Sequence, residues 1–274
     1  MTQSVREALA VRPGPVNLAG YHSAARPVQQ TGKLRHDIDE LSLLQQQLWA
    51  MGTAGDKRRV LLLLQGIDTA GKGGVTKHVV GALGPIGVQY TGFKAPTKEE
   101  LRHDFLWRIR KQLPPPGVLG VFDRSHYEDV LIVRVHEMVS AATWRARYDI
   151  INDFEAELAG DGMTIIKVFL NISFDTQRER LLRRLDRPDK HWKFNVADLD
   201  ERALWTEYQT AYSDMLEKCN TAHAPWYIVP SDSKGYRNWA VGEILRETLA
   251  ELDLSYPDPA LDIAALKERL APPH

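Results

Sequence analysis

The chain has 274 residues, 43% of them apolar and 26% charged, with a formal net charge of −1; these are the proportions of an ordinary soluble domain with a core of its own. A near-neutral molecule carries no overall footprint for nucleic acid or an anionic membrane, so any anion site must come from local clustering. The single cysteine, Cys219, excludes an intramolecular disulfide and suits a reducing compartment; with no apolar run long enough for a signal peptide or a membrane span, a cytoplasmic protein is expected.

Residues 1–32 are rich in Pro, Ala and Gly and show no lasting period. They read as an arm, draped on the body or partly disordered. From Lys33 the apolar residues Leu34, Ile38, Leu41, Leu44 and Leu48 recur at helical spacing, which predicts a helix to about Ala50 that packs on the main domain.

Five short apolar runs follow, at 60–64, 88–93, 118–122, 165–170 and 226–229. Each is nearly continuous rather than alternating, as strands are when both faces of a parallel sheet are buried. Helical segments are predicted between and after them at about 73–83, 97–112, 126–138, 141–160 and 236–252. The alternation implies a doubly wound α/β fold with a five-stranded parallel sheet. The interval from about 171 to 225 is too long for one crossover; it is helical and charged, and 173–218 reads as a lid insertion at the C-terminal edge of the sheet. The kinase-like body is placed at 33–256, with 257–274 as a surface extension.

The first run leads into Gly66-Ile67-Asp68-Thr69-Ala70-Gly71-Lys72-Gly73-Gly74 and then a helix. Strand, glycine loop and helix in this order form a P-loop, whose inward backbone N–H groups and helix N-terminus bind phosphate. Lys72 supplies a point charge for the transferring group. Gly73 stands where a P-loop usually has the Ser or Thr that holds Mg²⁺, so the metal has to find other ligands. Asp68 offers one carboxylate. Asp123, at the end of the third strand, offers a second in the position of a Walker B residue. The two together could hold Mg²⁺ with phosphate oxygens. Arg124 would face the anionic substrate. A bare glycine turn, and an Asp123 that only caps the next helix, are the plain alternatives.

Arg180, Arg183, Arg184 and Arg187 fall at i, i+3, i+4 and i+7, on one helix face. Leu181, Leu182 and Leu185 lie on the other side and are expected to hold the helix down. Lys190 and Lys193 follow, so that 178–193 carries seven Lys or Arg against three acids. A phosphate-binding face and a solvated basic face both fit such a run; its place in a lid above a P-loop favours phosphate. Lys94 follows the second strand and faces the same edge of the sheet. Arg102, Arg108 and Arg134 are weaker candidates, each equally suited to a surface ion pair.

These motifs, with Ala95-Pro96-Thr97, Phe105-Leu106-Trp107-Arg108, Phe122-Asp123-Arg124-Ser125-His126-Tyr127-Glu128-Asp129, Pro188-Asp189-Lys190-His191-Trp192-Lys193 and Trp205-Thr206-Glu207-Tyr208-Gln209, resemble the polyphosphate kinase 2 family from about Lys33 to Tyr256. The resemblance implies a fold similar to thymidylate kinase with a helical lid, Mg²⁺ (or Mn²⁺) as cofactor, and a basic channel for inorganic polyphosphate. It implies transfer of the terminal phosphoryl group to a nucleoside mono- or diphosphate. The family's catalytic positions fall on Asp68, Lys72, Asp123, Arg124, Arg180 and Arg184, with Asp68 and Asp123 as metal ligands. Substrate contacts are expected from Gly66, Thr69, Ala70, Gly71, Gly73, Gly74 and Lys77 of the loop and its helix, from Lys94, Arg108, Glu128 and Arg134, and from Arg183, Arg187, Lys190 and Lys193. The Ser125-His126-Tyr127-Glu128-Asp129 version resembles the subgroup that accepts both AMP and ADP, giving ADP and ATP. No nucleic-acid or membrane partner is expected, and a homo-oligomer is. An ATP-dependent nucleoside monophosphate kinase is the second reading, weakened by Gly73. A non-catalytic polyanion binder is the third, weakened by the two carboxylates.

Overall fold

The computed structural model describes residues 3–30 and 34–271, with side chains from Ile38 onward in the first long helix. Lys33 and the Leu34 side chain, named above in the predicted helix, lie outside the described residues. The elements run α1 (Val5–Leu9), α2 (Leu34–Thr53), β1 (Arg59–Gln65), α3 (Lys72–His78), β2 (Val88–Gly92), α4 (Trp107–Arg110), β3 (Leu119–Asp123), α5 (Ile132–Val135), α6 (Ala141–Gly160) and β4 (Met163–Asn171). The lid region follows as α7 (Phe174–Leu185), α8 (Ala197–Ala203) and α9 (Trp205–Lys218), then β5 (Trp226–Pro230), α10 (Lys234–Ala250) and α11 (Ile263–Arg269).

All five expected strands form one parallel sheet in the order β2-β3-β1-β4-β5. Every residue of β1 and β5 is buried, which is why those segments carry unbroken apolar runs. The edge strand β2 is half exposed. The register sets Leu64 and Gly92 on either side of Asp123, so the glycine loop, Asp123 and the Phe93–Lys94 backbone emerge together. β1 lies between β3 and β4, where the chain order reverses and a crevice opens at the strands' C-terminal ends. Serine caps start the helices that leave this end or return to it. Ser140, Ser173 and Ser233 accept from Thr143, Thr176 and Tyr236 N–H groups at the heads of α6, α7 and α10.

Two expectations change, and the N-terminal arm takes the first of its two readings. The segment 97–112 holds only a 3₁₀ turn and the single turn of α4, and 126–138 splits into a 3₁₀ segment, His126–Val130, and α5. Leu181 is buried on α7, but Leu182 and Leu185 are 46% and 47% exposed, so one leucine rather than three holds that helix down. The N-terminal arm is part of the body. Val5, Leu9, Val11, Val16, Leu18 and Val28 are buried in the main core, and Val11 N–H donates to the Trp226 carbonyl at 2.9 Å. An antiparallel bridge pairs Ala10 with Tyr227, and the Glu247 carboxylate accepts from Val5 N–H at 2.9 Å and Ser4 Oγ at 2.7 Å. The outer edge of β5 is thereby covered. At the other end α11 is exposed along most of its length. Among the described residues no helix is long and apolar enough to cross a membrane.

Candidate active site

The loop after β1 is shaped by residues that need left-handed backbone. Gly66 has φ +148°, and a Cβ there would lie 2.8 Å from the Leu170 carbonyl oxygen; Gly71 has φ +120° and is backed by the Arg237 guanidinium. Thr69 takes φ 68°, and its hydroxyl is buried without a partner among the described residues, as an oxygen waiting for a polar ligand would be. Lys72 opens α3, is buried, and donates to the Gly66 carbonyl at 2.6 Å. No side chain caps the N-terminus of α3.

Asp68 accepts from Arg124 Nη2 at 2.8 Å. Burial works against its charge, but Lys72 and then Arg124 hold the Asp68 carboxyl below its usual range. Arg124 sits at φ 65° directly after β3, a strained conformation for a side chain of that size. Asp123 accepts from the Tyr90 hydroxyl at 3.3 Å, and burial followed by Asp123 pushes that phenol up to about 12. Arg124, expected to face the anionic substrate, lines both cavities that open here and also pairs with Asp68.

Two cavities meet at this point. The first, about 800 Å³, is lined by twelve lysines and arginines against two carboxylates. The loop and α3 contribute Thr69, Gly71, Lys72, Gly73, Gly74 and Lys77, and the β2 edge contributes Lys94. The lid contributes Arg180, Arg183, Arg184, Arg187, Lys190 and Lys193. The second cavity, about 650 Å³, has five carboxylates and four aromatic rings, among them Glu128, Asp198, Glu201, Trp192, Tyr208 and Tyr212, and it includes Gly66. Asp68, Tyr90, Asp123, Arg124, Arg184 and Lys193 line both. Glu128 is half-buried there. Burial raises its carboxyl above the ordinary range, against the pull of Arg124 and Lys72.

The arginine stripe divides. Arg180 is buried; its Nη1 donates to the carbonyls of Thr69 at 2.8 Å and Ala70 at 3.0 Å, and its Nη2 donates to those of Ser231 and Asp232. Its fork is therefore spent on the back of the phosphate loop. Arg184 is half-buried and bonds the Lys193 carbonyl and Asp198. Arg187 and Lys190 share Asp189 on the exposed surface, and Arg183 is exposed.

Three expected contacts lie elsewhere. Arg134 pairs with Asp214 at 2.6 Å and covers the Trp144 ring at 4.3 Å, outside both cavities, because its short helix turns toward α9. Arg108 is buried and donates to the Lys94 carbonyl at 2.8 Å while lying over Phe93, so it props the backbone beneath Lys94 instead of lining the cavity. Ala70 is buried behind the loop and does not line either cavity.

Sequence reasoning missed Lys234, Arg237 and Asn238 of α10, all lining the basic cavity. Arg237 is 3% exposed; it donates to Asn238 Oδ1 at 2.8 Å and to the Ala70 carbonyl at 3.3 Å. Burial, then the neighbouring Arg180, pushes it down to about 10. A buried guanidinium with no carboxylate partner among the described residues, in a basic cavity, calls for an anion. The only signal for it in the chain is that α10 follows the C-terminal end of a strand, where ligands gather.

The sequence profile described as Polyphosphate kinase 2 (PPK2) matches residues 29–256. The chain is 47% identical over 219 residues to the AMP/ADP-polyphosphate phosphotransferase of Meiothermus ruber, covering 80% of each. It is 43% identical over 237 residues to the ADP-polyphosphate phosphotransferase of Rhodopseudomonas palustris, covering 82% of this chain and 81% of that one. The crystal structure of polyphosphate kinase 2 from Arthrobacter aurescens TC1 superimposes with a TM-score of 0.95 at 49% identity, over 98% of this chain and 97% of the other.

Proposed function

This chain belongs to the polyphosphate kinase 2 family, and from that premise we propose that it moves the terminal phosphoryl group of inorganic polyphosphate onto AMP and ADP, giving ADP and ATP. The observation that supports this reading is the pair of cavities of opposite character sharing one wall. A chain of phosphates suits a pocket with twelve cationic side chains. A nucleotide suits a pocket with aromatic rings and few cations, provided its phosphates reach Arg124, Arg184 and Lys193 on the shared wall.

Phosphoryl transfer asks for alignment and charge neutralisation more than for covalent chemistry. In this reading Lys72 leaves the Gly66 carbonyl to hold the group in flight, with loop N–H groups around it. Arg124 and Arg184 meet charge that develops between the two cavities. Arg180 holds the loop from behind. The donor set for a metal is two carboxylates, Asp68 and Asp123, on the shared wall, and no cluster of three or more His, Cys, Asp or Glu suited to a metal occurs among the described residues. Two carboxylates fit an ion that keeps waters and takes phosphate oxygens, as Mg²⁺ does. Bound there, Mg²⁺ (or Mn²⁺) would supply charge neutralisation for the phosphoryl oxygens. The reading carries a homo-oligomer in the cytoplasm: the buried, unpaired Cys219 suits a reducing compartment, and sedimentation at micromolar protein checks the assembly.

The deciding experiment incubates the protein with polyphosphate, Mg²⁺ and AMP, separates AMP, ADP and ATP, and repeats the incubation with ATP as donor. Formation of ADP and then ATP from polyphosphate is expected. Turnover with ATP but none with polyphosphate would return the chain to the nucleoside monophosphate kinase reading.

A further inference from the structure

Lys167 stands in the middle of β4, beside Leu63 of β1 and Trp226 of β5, and is fully buried. Its Nζ bonds Glu155 Oε2 of α6 at 2.6 Å, the Tyr127 hydroxyl at 2.9 Å and the Cys219 carbonyl at 2.6 Å. Tyr127 donates to Glu155 Oε1 at 2.8 Å, and His126 Nε2 lies 3.1 Å from the same oxygen. All four side chains are at most 1% exposed. A buried ion pair contributes little net stability compared with apolar residues of the same size, so bulk stability gives no reason for a lysine and a glutamate here. Nothing in the transfer step uses them.

We propose that this buried cluster is a positioning device that fixes the acceptor cavity, and so governs how AMP and ADP are held. The turn after β3 is a five-residue 3₁₀ segment, too short to set its own register. Its residues point two ways. Arg124 and Glu128 line the acceptor cavity, while His126 and Tyr127 point back into the cluster. Ser125, between them, bonds Gln65 at the end of β1. With its amide oriented to satisfy its neighbours, Gln65 also donates to Glu128 Oε1 at 3.1 Å. Cys219 ends α9, which brings Tyr208 and Tyr212 to the same cavity. One lysine therefore ties together the sheet, the Glu128 turn and the aromatic wall. The cluster lines neither cavity itself, but the residues it holds in place, Glu128, Tyr208 and Tyr212, line the acceptor cavity and not the basic one. This asymmetry separates the proposal from general stabilisation.

The proposal rests on the reading of the second cavity as the acceptor site. The test compares Tyr127→Phe, which removes one hydroxyl and keeps the ring, with the charge-free pair Lys167→Met and Glu155→Leu in one protein, and with Glu128→Gln. Steady-state constants are measured separately for AMP, ADP and polyphosphate, beside melting temperatures. In the cluster variants the KM for AMP or ADP is expected to rise by about fivefold or more, the scale of one lost hydrogen bond. The polyphosphate KM is expected to stay within about twofold, as for an uncoupled site. If the double variant does not fold, Tyr127→Phe decides alone. Donor and acceptor constants moving together, or a lower melting temperature with unchanged kinetics, overturns the positioning role. A silent Glu128→Gln instead removes the acceptor reading and the proposal with it.

Discussion

Asp68 divides its carboxylate between Arg124 and the space beside Lys72, while the Asp123 carboxylate accepts, among the described residues, from the Tyr90 hydroxyl alone. Asp68→Asn and Asp123→Asn keep size and remove charge. Each is expected to lower turnover by at least ~10²-fold, the scale of one transition-state stabiliser, with circular dichroism unchanged; near-normal rates in either would end the two-carboxylate site. Arg180 makes a different prediction. Lysine cannot reproduce a fork that spans four carbonyls, so Arg180→Lys should lose about 1–2 kcal/mol of stability and slow turnover through a looser loop. An unchanged melting temperature with weaker polyphosphate binding would place Arg180 among the donor-binding residues, with Arg183 and Arg187. Glu155 carries a pH signature. Burial opposes its charge, but Lys167 and His126 hold its carboxyl below the ordinary 4.5. A depressed carboxyl stabilises the fold above its unfolded pKa and loses that contribution as pH falls through the folded value. The stability gap between the wild type and Glu155→Gln is therefore expected to be full at neutral pH and to narrow below about pH 4.5, read by chemical denaturation across that range.

At the level of elements, α3 and its loop distinguish glycines that look alike in the sequence. A Cβ on Gly74 would come within 2.4 Å of the Arg237 guanidinium, whereas one on Gly73 meets nothing within 4 Å. Gly73→Ala is expected to stabilise α3 by roughly 0.5–1 kcal/mol while placing a methyl in the basic cavity, so that melting temperature rises and polyphosphate KM rises with it. Gly74→Ala is expected to destabilise. Equal effects at the two positions would show that Arg237 does not back the loop. The strands and the loop were legible because burial on both faces and the glycine spacing leave local marks. The short segments at 100–102, 107–110 and 126–135 were overread as full helices, since their apolar residues are placed by tertiary contacts rather than by a period. On α7 the four-arginine stripe was visible, but the inward turn of Arg180 depends on the carbonyls of Ser231 and Asp232, some fifty residues away. Arg237 and Lys167 left no pattern at all: one stands in a helix buried along most of its length and the other inside an apolar run, and the carbonyl and carboxylate they bond lie on other elements.

For the molecule as a whole, the N-terminal arm covers the β5 edge of the sheet. Its sequence has no period because backbone groups hold it, through Val11 on β5 and through the Glu247 carboxylate, so composition alone left open whether it was draped on the body or partly disordered. The family profile begins only at residue 29, yet removal of residues 1–20 would bare an edge strand and the apolar side chains packed on it. The truncated protein is expected to melt lower and to aggregate, as measured by light scattering during a thermal ramp; unchanged melting would make the arm dispensable. The shared wall of the two cavities has a kinetic meaning of its own. Six residues face both chambers, so each substrate has its own approach and neither has to leave before the other arrives. Initial-rate plots against both substrates should then intersect, as for a ternary complex, rather than run parallel as they would with a phosphorylated enzyme carrying the group between visits. A wall that serves donor and acceptor at once works equally well in reverse. Whether ATP is made or drained back into the polymer is then decided by the relative concentrations of the two pools.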